Sequence, residues 1–162
     1  MSQGRYWWHG ETYSRLHAMH SIEQNYESCL AHFFVSKITI STDKAPAALG
    51  AYSQAVRSGS LVFVSGQLAI DPETGTMSPE DIAEQTDRVL RNLNAIVGTA
   101  GATLADVVKT TVYLSNMNDF AVMNGVYEKY FSDSAPARAT VEVSRLPKDA
   151  LVEIDAIVVI PS

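Results

Sequence analysis

Two short stretches near the end of the chain carry polar side chains that could bind and hydrolyse a small carboxylic acid. In the first stretch, Arg138, Thr140 and Glu142 share one side of a period-two pattern. In the second stretch, Glu153 and Asp155 do the same. Side chains alternate across a strand, so each stretch predicts a strand with one polar and one apolar face. An arginine fork binds a carboxylate through two parallel hydrogen bonds, and a nearby glutamate can position or activate a water. A solvated sheet face with ordinary charge pairs is the competing interpretation.

A turn-like segment joins the two stretches, which suggests a simple hairpin. In that register Ser144 lies near Leu151, and Glu142 faces Glu153. Arg138 and Glu153 are then about four rungs apart, or ~13 Å along the strand at ~3.3 Å per residue. A small substrate cannot bridge that distance. Either the register differs, or a second subunit supplies the missing group.

The composition is typical of a globular protein with a substantial core. Of the 162 residues, 46% are hydrophobic and 19% are charged. The net charge is −6 and no basic patch is visible, so nucleic acid is not an expected partner. The single cysteine excludes an intrachain disulfide and fits a reducing compartment, so we expect the cytoplasm, with the mitochondrion as the alternative. No apolar run approaches the roughly 18–20 residues that cross a bilayer, so no membrane partner is expected.

Residues 1–36 differ in composition from the rest of the chain. They hold all 4 histidines, the 1 cysteine and both tryptophans. Apolar residues recur at three- to four-residue steps from residue 11 to 35, which predicts an accessory amphipathic helix. A zinc site is disfavoured because His17 and His20 come without a paired CxxC motif, and a transit peptide is disfavoured by the acidic residues. We therefore expect an N-terminal extension, 1–36, ahead of a domain formed by 37–162.

The domain pattern predicts the order β-β-β-α-β-α-β-β. The first four predicted strands cover 37–41, 52–56, 61–65 and 106–114. Gly59 supplies the positive φ of a tight hairpin, and Ser78 and Pro79 are the expected N-cap and first residue of the first helix. Asn118 is the expected cap of the second helix, 120–131. Two helices on one face of a mixed, mostly antiparallel sheet make a two-layer α+β domain, whose open sheet face can meet water or another copy.

Short segments spread along this domain form an ordered and specific set. They are GAYSQA at 50–55, VSGQ at 64–67, KTTVYL at 109–114, MNDF at 117–120, PAR at 136–138, RLPK at 145–148 and VEI at 152–154. On these segments the chain from 38 to 159 resembles the Rid family of small enamine/imine deaminases, also called the YjgF/YER057c/UK114 family. The resemblance does not reach residues 1–36.

The resemblance implies a chorismate-mutase-like homotrimer with a cleft at each subunit boundary. It implies a hydrolase, a 2-iminobutanoate/2-iminopropanoate deaminase with a role in metabolite damage control. Such an enzyme converts 2-aminoacrylate or 2-iminobutanoate to a 2-oxo acid and ammonia. No metal and no organic cofactor is expected, because an imine is already electrophilic and needs only positioning and proton transfer.

The resemblance also assigns roles to particular residues. Arg138 is expected to clamp the substrate carboxylate, and Glu153 to hold and activate the water. The residues expected to complete the substrate site are Tyr52, Ser65, Gly66, Asn118 and Thr140. Thr140 stands where the family often has cysteine, but it keeps a hydroxyl and a backbone N–H, so carboxylate binding is expected to survive.

Two rival functions fit the same motifs. A non-catalytic trimer could bind 2-oxo acids as a regulator or act as a chaperone, because Arg138 serves binding as well as catalysis. A ribonuclease is the other rival. The acidic charge and the absence of a histidine pair in the matching region argue against it.

Overall fold

The structure, a computed structural model, describes residues 37–79 and 81–160. The expected N-terminal helix lies outside these residues, so it and the proposed boundary at residue 37 stay predictions. The described residues form six strands: β1 (Lys37–Ile40), β2 (Ala55–Ser58), β3 (Leu61–Gln67), β4 (Val107–Leu114), β5 (Ala137–Glu142) and β6 (Val152–Val159). Two α-helices, α1 (Ile82–Thr99) and α2 (Phe120–Phe131), complete the predicted order of elements.

The six strands form one mixed sheet in the order β1-β2-β3-β6-β4-β5. All neighbours are antiparallel except β4 and β5, which run parallel. The predicted hairpin between β5 and β6 is therefore wrong, because β4 lies between them. The physical reason is that α2 carries the chain back along the sheet, so β5 joins the outer edge of β4 in parallel, as a helical crossover allows.

The core lies between the helices and one face of the sheet. Alternate residues of β6 are buried, beginning with Val152 and Ile154. They meet the apolar stripe of α1, whose largest buried side chains are Leu90, Leu93 and Ile96. This arrangement is the two-layer α+β domain that the sequence predicts.

Local side-chain hydrogen bonds move three predicted boundaries. β2 begins three residues later than expected, because the Gln54 amide donates to the loop carbonyls of Thr42, Ala45 and Pro46 and holds its own residue outside the strand. Helix α1 is capped by the Asp81 carboxylate, which accepts from Glu84 N at 2.9 Å, and not by Ser78.

The start of α2 also differs from the prediction. Its N-cap is Asp119, which makes no side-chain capping bond. The Asn116 side chain instead accepts from Asn118 N at 3.0 Å and caps a short 3-10 turn, Met117–Asp119, ahead of the helix. Asn118 is therefore not a helix cap.

The other face of the sheet carries no helix of the described part of the chain. Apolar side chains stand exposed on it, among them Leu61, Phe63, Val141 and Val159. Exposed apolar surface on an ordered sheet is typical of a face that meets another protein surface. We call this surface the open face. In the described range, neither helix is both long enough and apolar enough to cross a bilayer.

Candidate active site

Arg138 and Glu153 lie on opposite faces of the sheet within one protomer. Arg138 is paired with Thr110 of β4, and Thr110 is fully buried under the helices. Glu153 is paired with Tyr113, three residues further along β4, which therefore points to the open face. Directly paired residues share a face, so the two polar patterns point to opposite sides of the sheet. The expectation of one shared polar side is wrong for a single protomer.

The first group of predicted residues surrounds Arg138, and we call it the arginine half-site (Arg138, Thr140, Asn118, with Tyr127 and Phe120). The guanidinium carbon of Arg138 lies 4.6 Å from the ring centroid of Tyr127 and 5.6 Å from that of Phe120. Tyr127 is fixed in turn by a 2.7 Å hydrogen bond between its hydroxyl and Thr110 Oγ1. A guanidinium over aromatic faces is held by cation–π attraction while its N–H donors stay available.

No carboxylate of the described residues forms an ion pair with Arg138. Two residues along the same face of β5, Thr140 has a buried Oγ1 that finds no hydrogen-bond partner within the described protomer. A cation without a counter-ion beside an unpartnered hydroxyl can accept an incoming carboxylate. A cavity of about 350 Å³ adjoins Arg138 and is lined also by Tyr127, Phe131 and Pro136.

Asn118 belongs to the turn that begins α2 and approaches the end of β5. The backbone N–H of Met117 donates to Glu142 Oε2 at 2.7 Å, which ties this turn to β5. Asn118 itself is exposed. The structure therefore places Asn118 in the turn just before Phe120, the first residue of α2, and on the side of Arg138.

The second group consists of Glu153, the adjoining strand residues Ser65 and Gly66, and Tyr52 on the loop that Ser65 holds, and we call it the glutamate half-site. The pairing of β3 with β6 shifts between Val64 and Gln67, which sets Gly66 against Glu153. A Cβ atom added to Gly66 would overlap the Glu153 carboxylate. Glycine is therefore required at position 66 for room, since a larger residue would displace the glutamate.

Ser65 holds the loop that carries Tyr52. Its hydroxyl donates to Ser53 O at 2.6 Å, and its backbone N–H donates to Gln54 O at 3.0 Å. Tyr52 itself is 55% exposed. The Ser65 side chain thus acts on the site by fixing the backbone beside Tyr52, while its oxygen can still accept a hydrogen bond.

A cavity of about 420 Å³ adjoins the glutamate half-site. It is lined by Tyr52 and Gly66, by apolar residues of the 46–49 and 68–72 segments, and by Pro147 and Lys148. Lys148 and its neighbour Asp149 have φ values of 57° and 55°, a conformation that non-glycine residues seldom adopt. Backbone strain of this kind clusters at binding sites, which makes the 147–149 turn part of the candidate site.

The electrostatics of the glutamate half-site favour a carboxyl group that can exchange protons. Burial raises the pKa of Glu153 above its ordinary value, and the charge of Asp155 raises that pKa further. A carboxyl whose pKa moves toward neutrality is a better general base and a better proton donor in its protonated form. In residues 37–79 and 81–160, no three His, Cys, Asp or Glu side chains cluster as metal ligands would.

Several residues next to the candidate site were not singled out as functional from the sequence. Tyr127 and Phe120 gave only the signal of a helix core stripe. Pro147 and Lys148 stood in a matching motif, but no pattern showed that their turn reaches the cavity beside Tyr52. Gly66 was expected at the site only through the family resemblance, because the predicted strand ended at residue 65, whereas β3 continues to Gln67. An isolated glycine inside a strand marks a bulge or a close approach.

Comparison with known proteins identifies the family. A family model described as Endoribonuclease L-PSP matches residues 42–160. A RutC family protein of Pyrococcus abyssi is 58% identical over 123 residues, which cover 76% of this chain and 97% of that protein. A Salmonella typhimurium protein named 2-iminobutanoate/2-iminopropanoate deaminase is 49% identical over 124 residues, covering 75% of this chain and 96% of that protein.

A solved structure with a similar fold and sequence supports the same family. The crystal structure of Escherichia coli TdcF with bound serine has a TM-score of 0.72 and 44% sequence identity, and the match covers 75% of this chain and 98% of that one. The chain belongs to the Endoribonuclease L-PSP family, which is the Rid or YjgF family that its sequence motifs predict. The mixed α+β fold is the fold of this family.

Proposed function

We propose that this protein hydrolyses reactive 2-imino acids, such as 2-iminobutanoate and the imine tautomer of 2-aminoacrylate, to 2-oxo acids and ammonia. The observation that supports the proposal most strongly is that a carboxylate-binding group and an acid–base group lie on opposite faces of one sheet. One face presents Arg138, which forms no ion pair with a carboxylate of the described residues, and the other presents a carboxyl with a raised pKa, Glu153. The Salmonella relative named as an imine deaminase supports the same reaction.

The proposed functional unit is a homotrimer. In a ring of identical subunits, one surface of each protomer meets a different surface of the next. The open face, with exposed Leu61, Phe63 and Val159, offers apolar area for such a contact. Arg138 lies on the outermost strand of the sheet, opposite β1. Association can therefore bring Arg138 of one protomer to Glu153 of its neighbour, which a single chain cannot do.

The substrate carboxylate is proposed to bind the arginine half-site. The Arg138 fork gives two parallel hydrogen bonds, and the unpartnered Thr140 hydroxyl is available for another. The serine bound to the Escherichia coli relative is also a small amino acid with a carboxylate, which supports recognition of this class of ligand. The imine carbon is then fixed near the water held by Glu153.

Proton transfer through Glu153 is proposed to complete the reaction. The imine nitrogen first takes a proton from solvent and becomes an iminium, and the last step returns this proton to solvent. As the water oxygen attacks the imine carbon, Glu153 takes one water proton and the C=N electron pair moves to nitrogen, which becomes a neutral amine. In the resulting carbinolamine, protonated Glu153 returns its proton to nitrogen, the C–N bond breaks and ammonia leaves. Loss of the hydroxyl proton gives the 2-oxo acid. The sum is one imine and one water converted to one 2-oxo acid and one ammonia.

A direct assay tests this proposal. Threonine dehydratase generates 2-iminobutanoate in situ, and the appearance of 2-oxobutanoate is followed with and without the protein. The proposal predicts a rate above the spontaneous rate that grows with protein concentration. No acceleration at any protein concentration would contradict it.

The alternative is a non-catalytic trimer that binds 2-oxo acids. Arg138, which pairs with no carboxylate of the residues that the structure describes, supports this alternative equally, because carboxylate binding needs no proton transfer. The Glu153→Gln variant separates the two functions. An enzyme should keep 2-oxobutanoate binding, measured by calorimetry, and lose deamination. A binding protein should show no deamination even in the wild type.

Ribonuclease activity and compartment are also open to test. We expect no ribonuclease activity, because the matched residues 42–160 contain no histidine to serve as acid or base. We infer a cytoplasmic location, which the single cysteine supports, and cell fractionation would test it.

A further inference from the structure

A second carboxylate, Asp155, stands beside Glu153 and is held by two donors from β4. The backbone N–H of Thr111 donates to Asp155 Oδ1 at 3.1 Å. The hydroxyl of Tyr113 donates to Asp155 Oδ2 at 2.9 Å. Both oxygens of Asp155 are therefore engaged, and its side chain is fixed on the open face.

The Tyr113 hydrogen bond runs diagonally across the strands. In the register of β4 with β6, Tyr113 is directly opposite Glu153 and Thr111 is directly opposite Asp155. The Tyr113 hydroxyl nevertheless donates to Asp155, and no described donor reaches the Glu153 carboxylate. Glu153 is thus left free for a water, while the neighbouring negative charge is locked two residues, or about 7 Å, along the strand.

We propose that Tyr113 and Asp155 are positioning residues that act through Glu153: Tyr113 and the Thr111 N–H lock the Asp155 carboxylate, whose fixed charge makes Glu153 hold a transferred proton more tightly. This inference rests on the proposed deaminase function, because it names the groups that tune its acid–base residue. Neither Tyr113 nor Asp155 touches the imine in this scheme.

The other groups around Glu153 leave Asp155 as its main charged neighbour. On β6 the neighbour is Asp155, and on β4 it is Tyr113. β3 contributes only Ser65 and Gly66, which carry no charge. Lys109 shares the open face but is opposite Ile157, four residues along β6 from Glu153. Lys148 lines the cavity that Gly66 also lines, and its side chain is exposed.

The pKa directions agree with this geometry. Burial is the first cause of the raised pKa of Glu153, and the charge of Asp155 is the second. The hydrogen bond to Asp155 is the first cause of the raised pKa of Tyr113, so the tyrosine stays protonated and keeps donating. The charge of Asp155 raises the pKa of Glu153, whereas Tyr113 is not among the causes of that shift.

Asp155→Asn is the informative substitution, because asparagine keeps the size and one of the two acceptor oxygens but removes the charge. In the deaminase assay we expect the acidic limb of the kcat–pH profile to move to lower pH and kcat at neutral pH to fall about tenfold. That loss is smaller than the roughly 10²–10⁴-fold loss expected for removing the acid–base group itself by Glu153→Gln. Asp133→Asn, at an exposed acid outside both half-sites, is the matched control and should leave the profile unchanged.

Tyr113→Phe tests whether the tyrosine acts through Asp155. It removes the hydroxyl and keeps the ring on the open face. If Tyr113 acts only by locking Asp155, the substitution changes the profile in the wild-type background and changes nothing further in Asp155→Asn protein. Additive effects of the two substitutions would overturn the coupling.

A direct titration of Glu153 makes the test independent of catalysis. Carbon-13 in glutamate side-chain carboxyls, with the Glu153 signal assigned by its loss in Glu153→Gln, reports the protonation of Glu153 by NMR. We expect Glu153 to titrate at lower pH in Asp155→Asn than in wild type, with light scattering showing equal assembly. An unchanged titration would overturn the inference even in an active enzyme, whereas a shifted titration in a protein that does not deaminate would reject only the proposed function.

Discussion

Gly66→Ala is expected to lower kcat strongly while changing the free energy of unfolding only slightly. The added Cβ would overlap Glu153 Oε1 and stand 2.8 Å from its Cδ and 3.1 Å from its Cγ. Carbon atoms in ordinary contact are ~3.5–4.0 Å apart, so the Glu153 carboxyl must move by about 1 Å. A displacement of about 1 Å at a reacting group costs on the order of 10²-fold in rate. We therefore expect kcat for imine hydrolysis to fall by about 10²-fold.

The same substitution should have little effect on stability. Gly66 does not have a positive φ, so alanine meets no backbone strain there. The atoms that it meets belong to a flexible side chain, and rotating that side chain away from its preferred angles costs roughly 0.5–1.5 kcal/mol. The free energy of unfolding, measured in urea, should fall by no more than about 1.5 kcal/mol.

Gly98→Ala is the matched control for this experiment. Gly98 is an exposed residue in the last turn of α1, and an added Cβ meets nothing within 4 Å. Alanine in a helix is about 0.5–1 kcal/mol more favourable than glycine, so the variant should be equally active and slightly more stable. A Gly66→Ala protein with wild-type kcat and intact assembly would show that the position of Glu153 does not limit the reaction.

Three further predictions follow from the two half-sites. Arg138→Lys should lose most deamination, with kcat/KM down on the order of 10²-fold or more, because a point charge replaces a fork; an unchanged kcat/KM with intact assembly would contradict the role of Arg138. Tyr127→Leu removes the ring beneath the guanidinium and should weaken 2-oxobutanoate binding by about 0.5–2 kcal/mol in calorimetry, whereas Tyr127→Phe should bind normally. The raised pKa of Glu153 means that the folded state binds the Glu153 proton more tightly than the unfolded chain does. The free energy of unfolding therefore falls as pH rises from the pKa of the unfolded chain through that of the folded state. Glu153→Gln should therefore gain stability relative to wild type as pH rises above about 4, the pKa of an unperturbed glutamate, and a constant difference in urea midpoints would count against it.

The sequence predicts the elements of the fold better than their arrangement. Periodicity assigns Arg138 and Glu153 to the polar sides of their strands correctly, because that pattern is local. It cannot show that β4 separates those strands or that α2 makes β5 run parallel to β4. Strand neighbours are set by long-range packing. The local pattern therefore suggests that the polar sides of β5 and β6 share one face of the sheet, although they lie on opposite faces.

The candidate site shows the same limit at the level of single residues. The motifs single out Arg138 and Glu153 without any coordinates. The aromatic support under Arg138 depends on how Tyr127 of α2 meets β5, and the lock on Asp155 depends on the β4–β6 register. Contacts between elements distant in sequence leave no periodic signal, so these residues could be found only from the structure.

Subunit mixing shows whether Arg138 of one protomer and Glu153 of its neighbour form one site. Arg138→Lys and Glu153→Gln proteins, each expected to have little activity alone, are unfolded together in equal amounts and refolded into mixed assemblies of the proposed ring. In random mixing, about one quarter of the subunit boundaries join an intact Arg138 to an intact Glu153. If the two residues form one site across a subunit boundary, deaminase activity should be near one quarter of the wild-type value, whereas mixed assemblies no more active than the parents would contradict a shared site.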